Sequence, residues 1–113
     1  MPPEDDVLVK FLRHAAYGPP GDLLIVTRCR RGRVDEVAEI ASLLGADNVR
    51  CRHGEQIEFF GRRVLLCNDD EPIRLRGMTL AGALITADAQ LEQRFEDELR
   101  HRCIKPGAPI FRA

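Results

Sequence analysis

The stretch Gly18-Pro19-Pro20-Gly21-Asp22-Leu23-Leu24-Ile25-Val26 decides the fold. Two glycines and two prolines break the chain, and four consecutive apolar residues follow at once. A short uninterrupted apolar run of this kind suits a strand buried on both faces, which is the environment of a parallel sheet. Such a sheet needs helices, and the flanking sequence supplies them. Upstream, Val7, Leu8, Phe11, Leu12 and Ala15 recur at helical spacing. Glu4, Asp5 and Asp6 stand where the positive end of a helix dipole favours carboxylates, so the spacing predicts a helix over residues 6–16. Downstream, Val34, Val37, Ala38, Ala41 and Leu44 trace one apolar stripe, and Gly45 just beyond it suits a C-terminal cap.

Further along, residues 49–52, 57–60 and 63–67 are rich in β-branched and aromatic residues between polar breaks, with a turn at Gly61, and predict a small hairpin. A polar loop at residues 68–72 follows, then a second buried strand at 83–86. Leu91, Phe95, Leu99 and Cys103 define one final amphipathic helix, ended by Pro106-Gly107, and residues 109–112 make a last short strand. Strands alternating with helices in this order predict an α/β fold, a mainly parallel sheet flanked by helices.

The chain of 113 residues, 44% of them hydrophobic, is the size of one domain, and residues 1–113 are read as a single unit. Seventeen basic residues nearly cancel eighteen acidic ones, so no global charge draws the protein to nucleic acid or to an acidic membrane. No apolar run approaches the roughly 20 residues of a membrane span, and the acidic start lacks the features of a signal peptide, so a cytoplasmic protein with no membrane partner is expected. The dispersed Cys29, Cys51, Cys67 and Cys103 fit reduced, part-buried thiols better than a disulfide framework.

Three clusters carry chemistry on paper. Arg28, Arg30, Arg31 and Arg33 form the densest basic group, and Arg50, Arg52, Arg62 and Arg63 extend it if they share a face; such a patch grips phosphate. The competing reading is a solvated loop whose arginines pair with nearby acids, which the near-zero net charge and the lack of interleaved aromatics favour. Cys51-x-His53 and His101-x-Cys103 offer four zinc-ligand types, but on a helix residues two apart diverge and the spacing matches no common zinc module, so no metal site is expected. Asp69, Asp70 and Glu71 before Pro72 read as a solvated turn. No local motif supports a Cys-His nucleophile.

A family resemblance runs through the chain. The opening stretch at residues 18–26, Gly61-Arg62-Arg63-Val64, the run Arg74-Leu75-Arg76-Gly77-Met78-Thr79-Leu80-Ala81-Gly82-Ala83, and residues 99–111 occur in the order and rough spacing seen in phage terminase large subunits, the enzymes that pump DNA into capsids. From about Val7 to Phe111, the sequence resembles the ATPase domain of that family. The resemblance implies a P-loop, RecA-like fold and a phage or prophage origin in a bacterial host. It also implies what to look for in the chemistry. P-loop motors need a Gly-Lys-Ser or Gly-Lys-Thr turn to cradle phosphates and Mg²⁺, and the sequence contains neither; by position, the first helix resembles the one that follows that turn. They also need an Asp-Glu pair at the end of the strand after the Gly-Met-Thr-Leu-Ala-Gly segment, and by counting that pair falls on Thr86 and Ala87. Neither coordinates Mg²⁺ as a carboxylate or acts as a general base. Asp88 lies two residues late and is followed by Ala89.

The expectation is therefore a catalytically inactive, terminase-like protein, with no cofactor, that acts by protein–protein interaction with a terminase subunit or a host protein. The alternative is a nucleic-acid-binding module using the arginine cluster. The resemblance further implies that the strand at Ile110 and Phe111 is an uncovered edge, open to homodimerisation or strand addition.

Overall fold

The structure is a computed structural model and describes residues 3–28, 30–43, 45, 49–52, 56–59, 61–70 and 79–112. Helix α1 (Pro3–Tyr17) leads into strand β1 (Asp22–Thr27), helix α2 (Arg30–Leu43), strands β2 (Arg50–Arg52), β3 (Gln56–Phe59), β4 (Arg62–Asn68) and β5 (Leu80–Ile85), helix α3 (Gln93–Glu98), a π turn (Leu99–Cys103) and strand β6 (Ile110–Arg112). They form one six-stranded sheet in the order β2-β3-β4-β1-β5-β6. β1 pairs in parallel with both β4 and β5, and β5 with β6, whereas β2 and β3 are antiparallel. The fold is thus α/β with a mainly parallel sheet, as the apolar run at the start of the sequence predicts.

β1 sits at the centre because both its faces are apolar. Leu23 and Ile25 join Leu8, Phe11, Leu12 and Ala15 of α1 and Val34, Val37 and Ala41 of α2 in one core layer. Leu24 and Val26 point the other way, into a second layer with Phe95 of α3 and Leu99 and Cys103 of the π turn. Two helices therefore cover one face and the α3 segment the other, giving three layers. Gly45 adopts φ +98° just past α2 and its N–H bonds the Ser42 carbonyl at 3.1 Å, which is the capping role its position predicts.

Three expectations need correction. The last helix is not continuous: α3 ends at Glu98 and the chain widens into the π turn, Leu91 lying outside the helix. Phe95, Leu99 and Cys103 are all buried as their spacing of four demands, and a π turn preserves that facing while taking up an extra residue. The 83–86 strand starts earlier, at Leu80, and stops at Ile85, leaving Thr86 just past its end. The first helix starts earlier, at Pro3, and runs on to Tyr17.

β5 carries an irregularity that matters for packing. Asp22 lies opposite Leu80 and Leu23 opposite Gly82, so Ala81 is skipped. The displaced Ala81 carbonyl is taken by His14 Nε2–H of α1 at 3.0 Å. The neighbouring Gly82 leaves room for this ring, because a Cβ there would stand 3.0 Å from Leu23 Cδ2 and 3.1 Å from His14. His14 in turn stacks obliquely on Phe111 of β6, 5.9 Å between centroids, and Phe111 meets Phe11 edge-on at 5.8 Å. No helix among the described residues is long and apolar enough to cross a membrane.

Candidate functional site

In an open α/β sheet, the crevice where successive helices leave neighbouring strands toward opposite faces is the usual place for a site. Here that point lies between the carboxyl ends of β1 and β5. α2 follows β1 onto one face and α3 follows β5 onto the other. The residues gathered there are Thr27 and Arg28 from the end of β1, Arg33 from the first turns of α2, and Thr86, Ala87 and Asp88 from the end of β5.

The Asp88 carboxylate organises them. Its Oδ1 accepts from the Thr86 hydroxyl, from the Thr27 hydroxyl at 3.5 Å and from Arg33 Nη2 at 3.3 Å. Arg33 also donates through Nε to Thr27 Oγ1 at 3.3 Å and through Nη1 to Glu36 at 3.0 Å. Thr27 and Thr86 are buried, the only described polar residues in the buried set. The backbone around them is satisfied: the Thr86 N–H bonds the Val26 carbonyl at 3.0 Å and the Asp69 N–H the Thr27 carbonyl at 2.9 Å. Burial alone pushes the Asp88 carboxyl up, but the hydrogen bond from Thr86, the charge and hydrogen bond of Arg33 and the backbone N–H of Arg28 outweigh it and leave the group below its ordinary value. Asp88 is thus held ionised beside a guanidinium.

The arginines picked out in the sequence do not assemble on one end. Arg28 is exposed and Arg33 is tied to Glu36 and Asp88. Arg30 and Arg31 lie in α2, but their side chains, like that of Arg52, fall outside the described residues. Arg62 and Arg63 sit at the opposite end of the sheet, where Arg63 pairs with Asp22. There Arg62 donates to the carbonyls of Gly18 at 3.2 Å and Gly21 at 3.3 Å, and burial lowers its pKa against the raising effect of Asp22. Of the cysteines, Cys51 is exposed and Cys67 and Cys103 are buried; Cys29 and His53 lie outside the described residues. Among the described residues no three His, Cys, Asp or Glu side chains gather into a metal-binding group. Glu71 and Pro72 of the polar loop, and residues 74–78 of the run that carries the resemblance, also lie outside them. Ile110 and Phe111 are half-buried in β6, the strand at one end of the sheet.

Sequence comparison is silent: no family model matches the chain, nor does any curated protein. Structural comparison is not. The large terminase of the thermophilic bacteriophage D6E superposes with a TM-score of 0.70 at 18% identity, over 93% of this chain. A second structure of that protein, in complex with ADP, gives 0.66 at 17% identity over 94% of this chain. The α/β fold is thus one shared with part of a large terminase. The chain spans 29% of the D6E protein's length.

On a terminase-like fold the end of β5 is where magnesium ligands are sought. The donor set here does not fit that ion. Thr86 and Ala87 carry no carboxylate, and the described carboxylates at this end are engaged: Asp88 and Glu36 pair with Arg33 at 3.3 and 3.0 Å, and Asp69 accepts from the Gln90 N–H at 2.9 Å. Sequence reasoning found Thr86, Ala87 and Asp88 by counting. For Arg33 the sequence favoured pairing with nearby acids over a phosphate-gripping patch, and Glu36 and Asp88 are the acids it meets.

Proposed function

We propose that this chain is a terminase-like protein of phage or prophage origin that does not hydrolyse ATP and works by binding another protein, a terminase subunit or a host factor. One observation carries the reading: at the carboxyl ends of β1 and β5, the Arg33 guanidinium pairs with Asp88, the described carboxylate that follows most closely on the position from which an ATPase would hold magnesium. A network of Thr27, Thr86, Asp88 and Arg33 that satisfies itself needs no nucleotide to complete it. Nucleic-acid binding by Arg28, Arg30, Arg31 and Arg33 is the weaker alternative, because Arg33 is engaged internally and Arg62 and Arg63, which would extend the patch, stand at the other end of the sheet. A protein-binding role is supported instead by β6, which carries Ile110 and Phe111 and is the last strand at one side of the described sheet, a place where an extended segment can add.

The test is ATP and GTP turnover by the purified chain with Mg²⁺, beside the Asp88→Asn variant. No turnover in either protein is expected. Turnover that Asp88→Asn abolishes would overturn the reading, since Asp88 would then be working as a metal ligand or base. Binding to purified terminase subunits, followed by calorimetry, tests the interaction half separately.

A further inference from the structure

The end of the sheet opposite β6 carries its own information. One ladder of charged residues crosses four strands: Asp22 of β1 is ion-paired with Arg63 of β4, Arg63 lies opposite Glu58 of β3, and Glu58 lies opposite Arg50 of β2. The sign alternates at every step, minus, plus, minus, plus. It ends at Arg50, an exposed residue on the last strand of the described sheet. The next rung, if a strand were added, would have to be negative.

The backbone shows which atoms such a strand would meet. Peptide groups alternate sides along a strand. The Asp69 N–H bonds the Thr27 carbonyl of β1, so the odd-numbered residues of β4 face β1 and the even-numbered ones face β3. Val64 therefore exchanges hydrogen bonds with Ile57, which turns the peptide groups of Gln56 and Glu58 toward β2. These engage Arg52 and Arg50, and the N–H and C=O of Cys51 between them point away from the sheet. On the other face, the row Leu23, Val64, Ile57 is apolar and ends on the exposed Cys51.

We infer that the β2 edge receives an extended acidic segment of another protein, with an apolar residue opposite Cys51 and carboxylates at the flanking positions, one of them opposite Arg50. This rests on the protein-binding reading above and adds to the β6 strand a second surface, with its own partner chemistry. Backbone bonds to Cys51 would supply attachment, and the alternating ladder would select charge. A second copy of this chain is the wrong occupant, because two β2 strands paired antiparallel about Cys51 set Arg50 opposite Arg52. Like charges directly opposite are destabilising.

The experiment uses the full chain and two labelled peptides, one alternating Glu with Val and one alternating Lys with Val, followed by fluorescence anisotropy. The acidic peptide is expected to bind and the basic one not. Arg50→Glu should weaken the acidic peptide roughly fivefold and make the basic peptide the better ligand. Cys51→Pro removes the outward N–H without touching the β2–β3 bonds and should abolish binding of the acidic peptide. Equal affinity for the two peptides would overturn the inference. So would displacement of the acidic peptide by a DNA oligonucleotide, or light scattering that finds a dimer which Cys51→Pro dissociates. Turnover of ATP measured on the same sample keeps the two readings apart: a hydrolysing protein that binds the acidic peptide loses the earlier reading only, and an inert one that ignores the peptide loses this one only.

Discussion

Strands β1 and β5 bury nearly every residue on both faces, whereas β2 and β3, at one side of the same sheet, are apolar on one face and charged on the other. The difference follows from what covers them. The parallel half lies between α1 and α2 on one side and α3 with its π turn on the other, so its stability comes from packing. The antiparallel wing has α2 on one side and a solvent-facing row of Arg50, Glu58 and Arg63 on the other, so its outer face supplies pairing rules rather than core.

That contrast can be broken or sharpened by substitution. Phe11→Ala in the parallel half removes a fully buried ring that touches Phe111, and should cost about 3–5 kcal/mol in urea unfolding. Gly82→Val sets a side chain against Leu23 and His14, with an expected loss of about 1–3 kcal/mol that His14→Ala, by vacating the ring, partly restores. Asp88→Asn is expected to cost about 1 kcal/mol at pH 7, a figure kept low because the carboxylate is more than a third exposed. Its sign with pH is fixed: the folded carboxyl lies below its unfolded value, so the stabilisation is fully present above the ordinary carboxylate range and is lost as pH falls through the lowered value. Denaturation midpoints of the wild type and the Asn variant should therefore converge in strong acid. Smallest of all, Glu58→Gln in the wing should shift stability by no more than about 0.5 kcal/mol. A loss as large as that of Phe11→Ala would mean that the wing is held together in the same way as the core.

Much of the parallel half was legible because burial writes itself into composition. Leu23–Val26 could only be a strand covered on both sides, and Val34, Val37 and Ala41 could only face it from a helix. The π turn was not legible, since Phe95, Leu99 and Cys103 recur at the same interval whether the turn is α or slightly wider. At the candidate site, the position where the resemblance implies an acidic pair could be counted along the chain to Thr86 and Ala87. The Arg33–Asp88 pair could not, because its members are distant in sequence and only the β1–β5 pairing brings them together. The charged ladder was hidden for the same reason: each residue is ordinary in its own strand, and only the register puts Asp22, Arg63, Glu58 and Arg50 in one line.

The position of β1 between β4 and β5 also sets a timetable for folding. The strand at the centre is made early, yet its neighbours on both sides arrive much later in the chain, Val64 and Gly82 being the partners of Leu23. Contacts between residues so far apart close large loops before any energy is returned, which slows folding relative to a helical bundle of the same size. During synthesis the apolar β1 segment must wait, unpaired along both edges until β4 has left the ribosome and along one edge until β5 has. A nascent chain stalled before β4 is therefore the species most exposed to aggregation, and the one on which a chaperone has most to act.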